Sequence, residues 1–177
     1  MSLVLDGSVG VTFPSGAVGN SALMSGTAQA STSGTSIDFT GIPSWVKRVT
    51  VMFNGVSTNG TSQKLVQIGA GSVTTTGYAG VSNFIASGSS GSASYTNGFN
   101  FYNLVLASDT LSGLVTFTTL GSNVWVCTGS VANTTGTISA LTNGNITLGA
   151  ALDRVRITTV NGTDTFDAGT INILYEG

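Results

Sequence analysis

The chain has no histidine, one cysteine, two prolines, and only five Lys or Arg and seven Asp or Glu in 177 residues. Each scarcity excludes something. Without histidine there is no side chain of near-neutral pKa to move protons, and the imidazole ligands common at zinc sites are missing. Serines abound, but no nucleophile–base pair of the usual kind can be assembled around them. Asp6, Asp38, Asp109, Asp153, Asp164, Asp167 and Glu176 are scattered, and no spacing singles out two of them as a glycosidase pair. The expectation is therefore no catalytic residue, no metal site and no cofactor. Cys127 is alone in the run Val124-Trp125-Val126-Cys127. It can form no intramolecular disulfide and reads as a buried small hydrophobe. A net charge of −2 gives no basic field for nucleic acid or an anionic membrane. No run approaches the roughly 20 apolar residues of a membrane span. The start, MSLVLDGSVGV, has neither the basic region nor the apolar stretch of a secretory signal. Production and assembly in the cytoplasm is the expectation.

What is present is Gly, Ser and Thr at 75 positions, with 41% hydrophobic residues, enough for a core. Residues 1–35 are rich in Gly, Ser and Ala, with too few apolar side chains on one face to build a core alone. They read as an extended docking arm, with Leu5, Val9, Val11 and Phe13 as its contact residues; the alternative is a disordered leader. From residue 36 to 177 the pattern is strand, turn, strand. Val49, Val51 and Phe53 take one phase and Arg48, Thr50 and Met52 the other, as a half-buried strand requires. Val155 and Ile157 alternate with Arg154 and Arg156, and Ile171, Ile173 and Tyr175 with Asn172, Leu174 and Glu176. Eight to ten strands at this spacing predict one all-β domain, an antiparallel β-sandwich of jelly-roll type.

Candidate sites are few. Residues 86–98, ASGSSGSASYTNG, read as a low-complexity loop, and Tyr78, Tyr95, Phe99 and Tyr102 cluster around it in sequence. Tyr supplies rigid contact area while Ser and Gly adapt around it, so these four form a candidate recognition surface; a loop without a role is the alternative. Asp153, Asp164 and Asp167 offer oxygen atoms, but NGTDTFDAG does not fit an EF-hand loop, and an Asx-type turn is the better reading. Arg154 and Arg156 are placed to pair with these acids or with Asp38. Trp45 stands after Pro43-Ser44 at a strand entrance, where it caps one end of the core.

Two stretches carry a resemblance. One runs DFTGIPSWVKRVT from Asp38 to Thr50 and on through FNGVSTNG from Phe53 to Gly60. The other runs LDRVRITTVNGTD from Leu152 to Asp164, through FDAG from Phe166 to Gly169, to ILYE from Ile173 to Glu176. With Trp125-Val126-Cys127 between them, they resemble a domain recurrent in tailed-bacteriophage virion proteins, often at the end of fibre-like proteins. MSLVLDGSVGVTFP, from Met1 to Pro14, resembles the start of podophage fibre proteins. The chain has no coiled coil or repeat shaft between arm and domain, which favours a compact head decoration or a short tail appendage. The resemblance implies a non-enzymatic virion structural protein that forms a homotrimer and binds the major capsid protein or another virion protein. The rival expectation is a module that binds a host-surface glycan.

Overall fold

The computed structural model describes residues 23–177, together with the backbone of two short strands before them. These are β1 (Val4–Asp6) and β2 (Gly10–Thr12), paired antiparallel with Leu5 opposite Val11. Val9 and Phe13 lie outside the described residues. Among the described residues there are strands and turns but no helix.

Alternation in the sequence becomes alternation in burial. In β6 (Arg48–Thr58), Val49, Val51 and Phe53 are buried while Arg48, Thr50 and Met52 face out. In β15 (Arg154–Thr159), Val155 and Ile157 are fully buried and alternate with the half-buried Arg154 and Arg156. β12 (Leu111–Gly121) buries Val115 and Phe117, β13 (Val124–Asn133) buries Trp125 and Cys127, and β16 (Phe166–Glu176) buries Ile171 and Ile173. Cys127 thus lies in the core as a free thiol, and burial pushes its pKa up.

The remaining strands are β3 (Met24–Ser25), β4 (Gln29–Ala30), β5 (Ser36–Thr40), β7 (Lys64–Ala70) and β8 (Ser72–Val73). They are followed by β9 (Ala79–Ala86), β10 (Ser89–Tyr95), β11 (Phe99–Asn100) and β14 (Ser139–Thr147). The large sheet runs β10-β9-β14-β13-β12-β6-β16-β3, with β4 also on β16; the small sheet runs β11-β7-β15-β5, with β8 on β7. All pairings are antiparallel.

Four of these pairings are nested: β9 with β10, β7 with β11, β6 with β12, and β5 with β15. A long hairpin closed at β9–β10 and rolled over two sheets gives that order, which is the jelly-roll topology. Two elaborations follow. The hairpin β13–β14 is intercalated between β12 and β9, and β16 extends the large sheet beyond β6.

The sheets meet through aromatic side chains. Phe99 of the small sheet packs on Phe117 of the large one, with centroids 5.4 Å apart, and Phe53 meets Phe101 edge-on at 5.5 Å. Each such fully buried ring contributes about 1.5–3 kcal/mol. Trp45 packs on Tyr175 at 6.1 Å and closes one end of the core. Where β16 crosses β6, its register shifts near Gly169, whose φ is +97°. A Cβ there would sit 2.5 Å from the Gly55 carbonyl oxygen, so glycine is required on both grounds.

Two expectations need revision. Residues 86–98 are not a loop: Ala79–Ala86 and Ser89–Tyr95 pair through seven registered positions, with Gly88 at φ +76° in the turn. Ser, Gly and Ala have low strand propensity, but pairing along the whole edge of β9 overrides it. The β-domain also begins before Ser36. Gly26 N–H donates to Ile173 O at 2.8 Å, Ser31 N–H to Gly169 O at 3.0 Å, and Phe166 N–H to Gly34 O at 2.9 Å. Ser31 is fully buried, with its hydroxyl 2.8 Å from Ala168 O. Residues 24–34 therefore cover the edge of β16 and satisfy backbone groups that would otherwise stay open.

Candidate functional site

The four aromatic residues of the expected recognition surface divide. Tyr78 and Phe99 are buried, at 2% and 0% exposure, and pack edge-on at 5.0 Å. The Tyr78 hydroxyl accepts from Ile68 N–H at 2.9 Å and lies 2.9 Å from Thr74 O. Burial pushes its pKa up. These two belong to the core, because Phe99 takes the inward phase opposite Val66. Tyr95 and Tyr102 stay half-buried at the surface. Tyr102 packs edge-on against Phe84 at 5.4 Å, and the ring of Phe84 lies over Gly91.

The acids do not gather. Among the described residues no group of three His, Cys, Asp or Glu comes together as a metal site. Asn161 Oδ1 accepts from Thr163 N–H at 3.1 Å and Asp164 N–H at 3.2 Å, an Asx turn. The Asn161 amide and Ser62 N–H, 2.6 and 2.8 Å from the Asp164 carboxylate, hold its pKa below the usual value. Asp167 instead accepts from the Ser57 hydroxyl. Asp153 is gripped by Arg154 at 2.7 and 3.1 Å and by Gly71 N–H, which lowers its pKa.

Arg156 forms a two-pronged pair with Asp38 of the neighbouring strand, at 2.7 and 2.9 Å. Arg156 also lines a groove of about 350 Å³ on the outside of the small sheet, with Thr35, Gln67, Asn97, Thr158 and Asn161 among its other residues. Gln67 Nε2 donates to Asn97 O at 2.7 Å. The lining carries amides, hydroxyls and the Arg156 guanidinium beside the aliphatic Val160, a mixture of donors, acceptors and apolar surface that a polyhydroxylated ligand can meet.

One residue with chemical interest escaped the sequence reading. Lys64 is 1% exposed and its Nζ has no hydrogen-bond partner. Burial lowers its pKa, against the opposing attraction of Asp109, Asp167 and Asp164. Its phase was legible: it alternates with Val66 and Ile68, both fully buried.

The outer face of the large sheet forms a continuous surface across six strands. Register places Asn83, Leu141, Ser130, Leu114, Met52 and Asn172 in one row across six strands. Val81, Asn143, Thr128, Thr116, Thr50 and Leu174 form the next row, and Ala79, Asn145, Val126, Thr118, Arg48 and Glu176 a third. Arg48 and Glu176, the only charged residues in these rows, neutralise each other as an ion pair at one corner. Beside that pair a groove of about 260 Å³ is lined by Leu23, Thr50, Thr116 and Leu174.

No known protein family and no curated protein matches the chain. Among solved structures, the chain is similar to one described as the crystal structure of Scytalido-glutamic peptidase with a peptide based transition state analog. The identity is 15%, covering 80% of this chain and 73% of that chain, at a TM-score of 0.33. So slight a likeness carries no inference to this chain.

Proposed function

We propose that this chain is a non-enzymatic structural protein of a tailed-bacteriophage virion, either a head decoration or a short tail appendage. It is assembled in the host cytoplasm, self-associates as a homotrimer, and attaches through its N-terminal residues to the major capsid protein or another virion protein. The observation that supports this most is where the resembling stretches fall. Asp38–Thr50 and Leu152–Glu176 lie far apart in sequence, yet they supply β5 with β15 and β6 with β16, paired along their lengths. They form one unit spanning both sheets, as the core of a single domain would. The poverty in titratable groups agrees with a role in holding shape. Jelly rolls recur in viral capsid and lectin domains, although a fold alone assigns no function.

The groove lined by Arg156, Gln67 and Asn161 supports a second reading, a module that binds a host-surface glycan. Two measurements separate the readings. Quantitative mass spectrometry of purified virions counts copies of the chain; many copies support decoration, few support a tail part, and none sinks the proposal. A glycan array probes the groove, and binding lost in Gln67→Ala supports the second reading.

A further inference from the structure

We propose that the outer face of the large sheet is where copies of this chain pack against one another. The inference deepens the self-association in the proposed function and rests on it, adding which surface is used.

Composition of the face is the first argument. Of the nine large hydrophobic residues exposed among the described residues, Val81, Ile85, Leu114 and Leu141 project from it and Leu23 lines its groove. Leu114 is 52% exposed and Ile85 60%. Around them stand Thr, Ser and Asn, so the face is neutral and partly apolar over six strands. Interface centres are likewise depleted of charge.

Area is the second. Six strands at ~4.8 Å spacing and about eight residues at ~3.3 Å each cover roughly 25 Å by 25 Å, or about 600 Å² in projection. Side-chain relief adds to that figure. It approaches the ~800 Å² that each partner contributes to a standard interface.

Charge decides the occupant. Nucleic acid or an anionic surface finds no cation here beyond Arg48, which Glu176 already holds. A charged protein surface would lose hydration on this face and gain no counter-charge. A second copy brings the same mixture: aliphatic side chains that gain from burial, and hydroxyls and amides that are each both donor and acceptor and so can satisfy their own kind.

The test uses the full chain in solution. Sedimentation or native mass spectrometry at micromolar concentration is expected to find an oligomer. Leu114→Glu and, separately, Ser130→Glu place a carboxylate at the centre of the face, and each should weaken assembly by at least about tenfold. Ser130 is exposed, so a carboxylate there stays in water in the single chain, and it decides the matter if the Leu114 variant does not fold. Leu106→Glu, an exposed residue in the loop before β12, should leave assembly unchanged. If both face variants assemble like the wild type, the contact lies elsewhere and only this inference falls. If the wild-type chain is monomeric, with its face open or covered by residues 1–22, the inference and the self-association reading fall together.

Discussion

Replacing Lys64 by methionine should stabilise the protein. An ammonium group that leaves water and finds no hydrogen bond carries a desolvation penalty with little return. Here Nζ is buried without a partner, and the acid that attracts it most, Asp109, is already satisfied. Asp109 accepts from the Asn133 amide at 2.6 Å and from Leu106 N–H at 2.8 Å. Methionine keeps the unbranched length and fills similar space. Removing an unsatisfied buried polar group should return ~1–3 kcal/mol, and each kcal/mol moves Tm by roughly 2–4 °C in a domain of this size. The pH dependence gives an independent check. The folded pKa of Lys64 lies below its ordinary 10.5. Between that lowered value and 10.5 the unfolded chain therefore binds a proton that the native chain does not, and stability rises with pH. Below the lowered value the full penalty applies. Wild-type protein should thus gain stability on the alkaline side, and Lys64→Met should lack that component. Urea melts from neutral pH to pH 10 measure both. A Lys64→Met variant that loses more than about 1 kcal/mol at pH 7 would refute the reasoning, because it would mean that the amine is solvated or paired inside the fold.

Other perturbations test the sheet phase and the acids. Phe53→Ala should cost ~3–5 kcal/mol, since the ring is 5% exposed and packs on Phe101. Arg156→Ala should cost under about 1 kcal/mol, since more than a third of each side chain in its pair with Asp38 is exposed. Denaturant melts that rank these two the other way would invert β15 and β6 relative to the core. Asp153 and Asp164 have lowered pKa values, from the Arg154 and Asn161 hydrogen bonds first. Their contribution is therefore present above the ordinary value of 3.8 and is lost as pH falls through the lowered ones. With no histidine in the chain, Tm should be flat between about pH 5 and 7 and fall below about pH 4. A shift of several degrees within the flat interval counts against this assignment.

The parts legible in the sequence were those governed by local alternation. Val49-Thr50-Val51-Met52-Phe53 and Val155-Arg156-Ile157 state their inner and outer sides directly, because side chains in a strand alternate and one face must be apolar. Cys127 and Trp125 followed from the same phase. The hairpin at residues 79–95 did not follow, because Ser89-Ser90-Gly91-Ser92 has no apolar phase at all. Its strand character comes from hydrogen bonding to β9, a property of the partner. Tyr78 and Phe99 were misplaced for a related reason. Their neighbours in sequence are polar and glycine-rich, but their neighbours in space are Ile68, Val66 and Phe117. Phe99 and Phe101 share one phase around Asn100 and both are fully buried, a signal for the inside that outweighs the polar, glycine-rich stretch before them.

The edge of β16 shows the limit from the other direction. Residues 24–34 lack the apolar side chains that mark a strand, and composition alone sets them apart from the domain. What holds them is backbone: amides of Gly26 and Ser31 reach carbonyls of β16, and Gly34 O receives the Phe166 amide. Such pairing leaves little trace in side-chain identity beyond a tolerance for small residues. At Gly26 an added Cβ would meet Ile173 at 2.8 Å. The same small residues that made this segment read as a detached arm are what allow it to lie close along the sheet. The neutral face of the large sheet begins where that segment joins it, beside Leu23 and Leu174.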